Sequence, residues 1–192
     1  MSSKKFRIAV FASGNGSNAE EIIRHFKGHQ TIEVALVISN NAAAGVLDRA
    51  ARLHIPAQVV SKEQFRQATD VLAILKKAEI THIVLAGFLL LIPESLINAF
   101  PDRIVNIHPA LLPKFGGKGM YGLHVHEAVK LAGESETGIT IHVVNEKYDE
   151  GRILFQGKCP VEQTYTPQQI AQCVQRLEYE HYPRVIEEWI TG

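Results

Sequence analysis

Short runs of β-branched and aliphatic residues, each followed by a stretch with helical apolar spacing, fill the chain from Phe6 to His108 and constrain its fold more than any other feature. The runs cover residues 6–12, 32–39, 57–60, 83–86 and 104–108. β-Branched side chains suit a pleated, half-buried surface, so each run predicts a strand. The stretches between them predict helices over 19–26, 45–53, 61–77 and 93–100, the third opened by Ser61 and Gln64 at capping-box spacing. Such alternation argues an α/β protein with a doubly wound, mostly parallel sheet and right-handed crossovers. Residues 83–86 are nearly all apolar, as a central strand covered on both faces must be. In sheets of this kind ligands bind beyond the carboxyl ends of the strands, so the turns after residues 12 and 86 and the segment Asn106 to His108 share one edge.

At the first of these ends stands Ser13-Gly14-Asn15-Gly16-Ser17-Asn18. Gly14 and Gly16 permit backbone conformations closed to other residues, and Ser17 or Asn18 can cap a helix whose first turn holds Glu20 and Glu21. N–H groups at such a helix start favour an anion, so a phosphate cradle is expected. An ordinary tight turn would use the same residues. No Gly-Lys-Ser/Thr follows, and Ala19 stands where a dinucleotide motif has its third glycine, so no nucleotide specificity is implied.

Val105-Asn106-Ile107-His108-Pro109-Ala110-Leu111-Leu112-Pro113 sets two polar residues at a strand end and then stops the strand with prolines. Asn106 and His108 are two apart, which places both side chains on one sheet face. Imidazole exchanges protons near neutral pH and an amide NH2 can donate to an oxyanion; acyl-type transfer needs both. The same pair would also serve as a turn-capping Asn beside a buried, satisfied His.

Beyond residue 108 the pattern changes. Residues 114–122 carry four glycines and read as a mobile loop over the site or as a plain surface loop. His124 and His126 then lead into a helix over 125–132 closed by Gly133, followed by a strand over 139–144 and another starting at 153. Tyr148-Asp149-Glu150-Gly151 is a turn between them; Asp149 could orient or charge His108 or relay a proton, or be a solvated turn residue. Thr166 as N-cap, Pro167 at N1 and Gln169 at N3 open a long C-terminal helix in which Gln175 and Glu178 share a face.

A length of 192 residues suits one domain, 1–192. Twenty basic against twenty acidic residues give zero formal net charge, so no global field recruits nucleic acid or an anionic membrane. The amino terminus, Met1 to Phe6, leads straight into a strand without a signal-peptide core, and the longest apolar run, 83–93, is too short to span a bilayer. Cys159 and Cys173 lack metal spacing and suit a reducing compartment, so a cytoplasmic location is expected. Four of the nine histidines lie between residues 108 and 142, and His124 and His126 could share a face, yet no His-Glu helix motif or cysteine ligand accompanies them and no metal is expected.

In order and at these intervals, the glycine turn 13–18, Leu85-Ala86-Gly87-Phe88, Asn106 to Lys114, Gly122-Leu123-His124-Val125-His126, Gly138 to Val144 and Asp149-Glu150-Gly151 resemble the glycinamide ribonucleotide formyltransferase family of folate-dependent purine synthesis. The resemblance covers nearly the whole chain. It implies a Rossmann-like formyltransferase fold, with Asn106, His108 and Asp149 catalytic and 10-formyltetrahydrofolate as co-substrate. It also implies that Asn15, Gly16, Ser17 and Asn18 hold the ribose phosphate of glycinamide ribonucleotide, with Gln175 and Glu178 on the nucleotide. Folate contacts would fall to Leu89, Leu90, Leu91, Ile92, Val144, Asn145 and Tyr148, in a monomer or homodimer.

Two departures stand out. Leu90 occupies a place where the family commonly has arginine near the folate's glutamate tail, and residues 117–121 look like an insertion whose Lys118 could restore the charge. Methionyl-tRNA formyltransferase and formyltetrahydrofolate hydrolase share the Asn, His and Asp set but carry an additional domain, for which 192 neutral residues leave little room. A non-enzymatic phosphate sensor would use the glycine turn alone.

Overall fold

A computed structural model describes residues 5–192, so Met1 to Lys4 of the amino-terminal segment lie outside the described residues. The chain opens with β1 (Phe6–Phe11), α1 (Ser17–His25), β2 (Ile32–Ser39), α2 (Gly45–Arg52) and β3 (Ala57–Val59). Next come α3 (Lys62–Gln67), α4 (Thr69–Lys77), β4 (His82–Leu85), α5 (Glu94–Ala99) and β5 (Ile104–His108). The remainder is α6 (Leu123–Leu131), β6 (Glu136–Val143), β7 (Ile153–Pro160) and α7 (Pro167–Thr191).

One seven-stranded sheet runs in the order β3-β2-β1-β4-β5-β6-β7. The pairs from β3 to β5 are parallel, while β6 and β7 add an antiparallel edge, as expected of a doubly wound, mostly parallel sheet with a long terminal helix. Strand side chains alternate between faces, so Ile8, Val10, Val84 and Val105 join α1, α2 and α7 in one core. Ala9, Phe11, Ile83, Leu85 and Ile104 join α3, α4 and α5 in the other. Cys159 and Cys173 are unbridged and pack in the first core. Among the described residues no helix is long and apolar enough to cross a membrane.

Three expectations need correction. The helix expected over 61–77 is two, because buried Ala68 takes φ +61° and serves both as C-cap of α3 and as N-cap of α4. In one continuous helix Phe65 and Val71 would point about 120° apart, and the break lets both enter the same core. The helix α1 is capped by Gly16, not by Ser17 or Asn18, which sit in its first turn. Gly16 has φ +77°, and a Cβ there would lie 2.5 Å from Val46 Cβ, so neither conformation nor space admits a side chain. Finally, α6 starts at Leu123 and contains His124 and His126 instead of following them. Two residues apart on a helix means about 200° of rotation. His124 accordingly faces solvent while His126 is buried, and the two do not share a face.

The helix α7 begins at the expected Thr166 to Gln169 capping box. Further along it Tyr182 is fully buried, and its hydroxyl lies 2.9 Å from the Leu85 carbonyl and 3.3 Å from that of Val105. One phenol thus ties the ends of β4 and β5 together just before Asn106. Replacing Tyr182 by Phe leaves two buried carbonyls without this donor and is expected to lower unfolding free energy by about 1–2 kcal/mol. Urea denaturation checks this, and an unchanged midpoint would show the hydroxyl to be dispensable.

Candidate active site

The site grows from the register between β5 and β6. Asn106 stands opposite His142, and His108 opposite Thr140. The Asn106 amide nitrogen lies 3.1 Å from His142 Nε2. His142 Nδ1 is 3.1 Å from the Val143 carbonyl, which can only accept, so in the neutral ring Nδ1 carries the proton and Nε2 accepts from Asn106. Thr140, fully buried, donates to the Ala110 carbonyl at 2.7 Å and accepts from the Leu112 N–H at 2.9 Å. That pair of bonds fixes the proline-bounded turn that leaves His108.

Beyond β6, the connection to β7 folds back and brings Asp149 to the same place. Its Oδ2 lies 3.5 Å from His108 Nδ1 and its Oδ1 3.6 Å from His142 Nε2. Gly117 N–H donates to Asp149 Oδ2 at 2.8 Å, so the glycine loop is tied to the carboxylate. On the other side of the ring, His108 Nε2–H donates to the Phe115 carbonyl at 2.8 Å. Asp149 itself holds φ +56°, a left-handed conformation that aspartate tolerates better than most residues.

Electrostatics follow from burial. Burial, the largest influence, holds the His108 imidazole below its ordinary value of 6.5, although the Asp149 charge and the Phe115 carbonyl pull it upward. Burial alone would push the Asp149 carboxyl up, but the nearby His142 ring, the charge His108 carries when protonated and the Gly117 N–H outweigh it and hold it below the usual carboxylate range. With Nε2 holding the single proton of a neutral His108, Nδ1 and Asp149 Oδ2 face each other as two acceptors. A proton arriving between them is attracted to both.

These groups line a cavity of about 760 Å³. Leu89, Leu90, Leu91, Ile92, Val144, Asn145 and Tyr148 all belong to its wall, as do Gln175, Glu178 and Lys118. Asn18 belongs too, and its amide donates to Glu178 at 2.9 Å; Glu178 is held above the ordinary carboxylate range by burial. Asn15, Gly16 and Ser17 are not in that wall; they form the turn beside it. Sequence reasoning assigns no site role to His142, Thr140 or His126, although it weighs the two histidines as metal ligands. The period-two strand pattern at 139–143 was the available signal for the first two, since both are polar residues in an otherwise apolar buried strand. His126 lines the cavity, and burial pushes it down to about 4; its Nδ1 has no hydrogen-bond partner among the described residues. No group of three His, Cys, Asp or Glu is placed to hold a metal ion among the described residues.

An amide, an imidazole and a carboxylate thus meet on the wall of one cavity in a doubly wound sheet. The profile of the formyl transferase family matches residues 6–186, and the chain belongs to that family. Within it the similarity is to phosphoribosylglycinamide formyltransferases. The chloroplastic protein of that name from Arabidopsis thaliana is 42% identical over 190 residues, covering 95% of this chain and 65% of the relative. That of Bacillus subtilis is 38% identical over 192 residues, covering 96% and 94%. The solved phosphoribosylglycinamide formyltransferase of Bacillus halodurans superposes with a TM-score of 0.88 at 36% identity, covering 97% of this chain and 96% of that one. The chain therefore spans just under two thirds of the length of the plant relative and nearly all of the bacterial ones.

Because the Asp149 charge raises the proton affinity of His108, neutralising it must lower that affinity further. An NMR titration of the His108 ring is expected to show a midpoint below 6.5 in the wild type and a still lower one in Asp149→Asn. A midpoint that rises in the variant would mean the carboxylate does not act on the ring.

Proposed function

We propose that the chain, as one formyltransferase domain over residues 1–192, transfers a formyl group from 10-formyltetrahydrofolate to the amine of glycinamide ribonucleotide. The products are formylglycinamide ribonucleotide and tetrahydrofolate, in purine biosynthesis. The observation that carries the reading is the meeting of Asn106, His108 and Asp149 on the wall of one large cavity, at 3.5 Å between ring and carboxylate. Family membership supplies the chemistry of the transferred group.

In this reading the turn Asn15, Gly16, Ser17 and Asn18 binds the substrate phosphate, and Gln175 and Glu178 bind the nucleotide. Leu89, Leu90, Leu91, Ile92, Val144, Asn145 and Tyr148 receive the folate. The substrate amine attacks the formyl carbon, and the carbonyl oxygen becomes an oxyanion. Asn106, oriented by His142, donates to it. His108 donates through Nε2–H once the loop carbonyl of Phe115 releases that proton; a neutral imidazole can serve as such an electrophile. The proton lost by the attacking amine enters the gap between Asp149 and His108 Nδ1. Uptake there charges the ring just as the oxyanion forms, which strengthens the Nε2–H donor, and the proton is later returned to the departing folate nitrogen. No step uses a metal. We place the reaction in the cytoplasm, in a monomer or homodimer without nucleic-acid or membrane partners.

Incubation with 10-formyltetrahydrofolate, with and without glycinamide ribonucleotide, tests the reading. Tetrahydrofolate release that requires the ribonucleotide supports it; release without acceptor would make the protein a hydrolase, and binding without release a sensor. Asn106→Ala removes one oxyanion donor and should cost about 3 kcal/mol of barrier, roughly a hundredfold in kcat. His108→Ala and Asp149→Asn should abolish nearly all turnover while the fold persists by circular dichroism. Near-normal turnover in either variant would remove that residue from the mechanism.

A further inference from the structure

The glycine turn is bonded by a side chain from α2. Arg49 of α2 reaches back to Asn15, with Nε donating to its carbonyl at 2.7 Å and Nη2 to its side-chain oxygen at 3.2 Å. The third nitrogen, Nη1, bonds the carboxylate of Glu20 on α1. Glu20 is 7% exposed, and it also accepts from Arg24 at 2.6 Å and lies 3.5 Å from Arg52. Arg49 therefore engages the backbone of the turn, a side chain of the turn and the helix that the turn starts. Val46 N–H, one helical turn before it, donates to the Gly14 carbonyl at 3.2 Å. The three bonds leave three different nitrogens of a planar fork, a spread that the single nitrogen of an ammonium cannot reproduce.

The surrounding charge adds to this. Three guanidinium groups gather on one carboxylate. Hydrogen bonds from Arg24 and Arg49 hold Glu20 below the ordinary carboxylate range, so it stays charged and keeps its hold on Arg49.

We infer that Arg49, anchored by Glu20, is a positioning residue that keeps the turn at Gly14 to Ser17 in its anion-accepting shape and thereby sets affinity for the phosphate end of the substrate. This rests on the proposal that the turn receives a phosphomonoester. Arg49 touches neither the reacting carbonyl nor the folate wall of the cavity, so its effect falls on one substrate only.

The test compares wild type with Arg49→Met, and with Arg49→Lys, which keeps the charge but not the fork and stands in should the first variant fail to fold. Thermal melting first confirms folding. In the folded variant the KM for glycinamide ribonucleotide is expected to rise about tenfold, with kcat and the KM for 10-formyltetrahydrofolate within about twofold of wild type. The dissociation constant for ribose 5-phosphate, measured by calorimetry without any turnover, should rise by the same factor. Equal losses for both substrates, or unchanged ribose 5-phosphate binding, would overturn the assignment. A wild type that binds ribose 5-phosphate but releases no tetrahydrofolate would sink the formyl-transfer reading, while the two binding constants would still decide the role of Arg49. A wild type that does not bind ribose 5-phosphate would sink both.

Discussion

The antiparallel pairing of β6 with β5 is the constraint on which the site depends. A parallel sheet alone would present Asn106 and His108 at its carboxyl edge with nothing to answer them. Because β6 runs the other way, His142 falls opposite Asn106 and Thr140 opposite His108. The chain leaves β6 beside Val105, at the opposite end of β5, and the connection that follows returns Asp149 to the imidazole. A side chain at Gly151 would meet the Val143 carbonyl at 1.7 Å, so glycine alone lets the backbone turn back closely enough. Slipping the pairing by one residue would place His142 and Thr140 on the opposite face and take both supports away.

The groups so assembled are held out of water, and this decides their chemistry. His108 is 3% exposed, so its charged form is costly unless Asp149 shares the charge. With Nε2–H committed to Phe115, Nδ1 and the Asp149 carboxylate can therefore take up a proton between them. His142 serves differently: its proton is committed to Val143, and its remaining nitrogen aims the Asn106 amide. Both histidines are nearly buried, and the direction of their hydrogen bonds, set by backbone carbonyls, separates their roles.

Most of the scaffold was legible in the sequence because local chemistry and global fold agree there. β5 was read at its observed bounds, and the Thr166 to Gln169 capping box was recognised from spacing alone. What could not be read depends on distant contacts. The break at Ala68 carries no glycine or proline, and only the second core, which takes both Phe65 and Val71, demands it. Gly16 displaced Ser17 and Asn18 as cap because Val46, thirty positions later in the chain, occupies the space beside it. Asn106 and His108 announced themselves by their strand-end position, whereas His142 acquires its function only through the β5 register. Arg49 carried no local signal, being one of several charged residues on a surface helix.

The most direct test of convergence on one carbonyl is a crystal structure with glycinamide ribonucleotide and a folate analogue that cannot release its formyl-like group. The account predicts the substrate amine and the analogue's carbonyl carbon in contact, the carbonyl oxygen within hydrogen-bond reach of the Asn106 amide, and the phosphate at the turn beside Arg49. A ternary complex with the reacting carbon remote from Asn106, His108 and Asp149, or with the phosphate at the Leu89 to Ile92 wall, would contradict it.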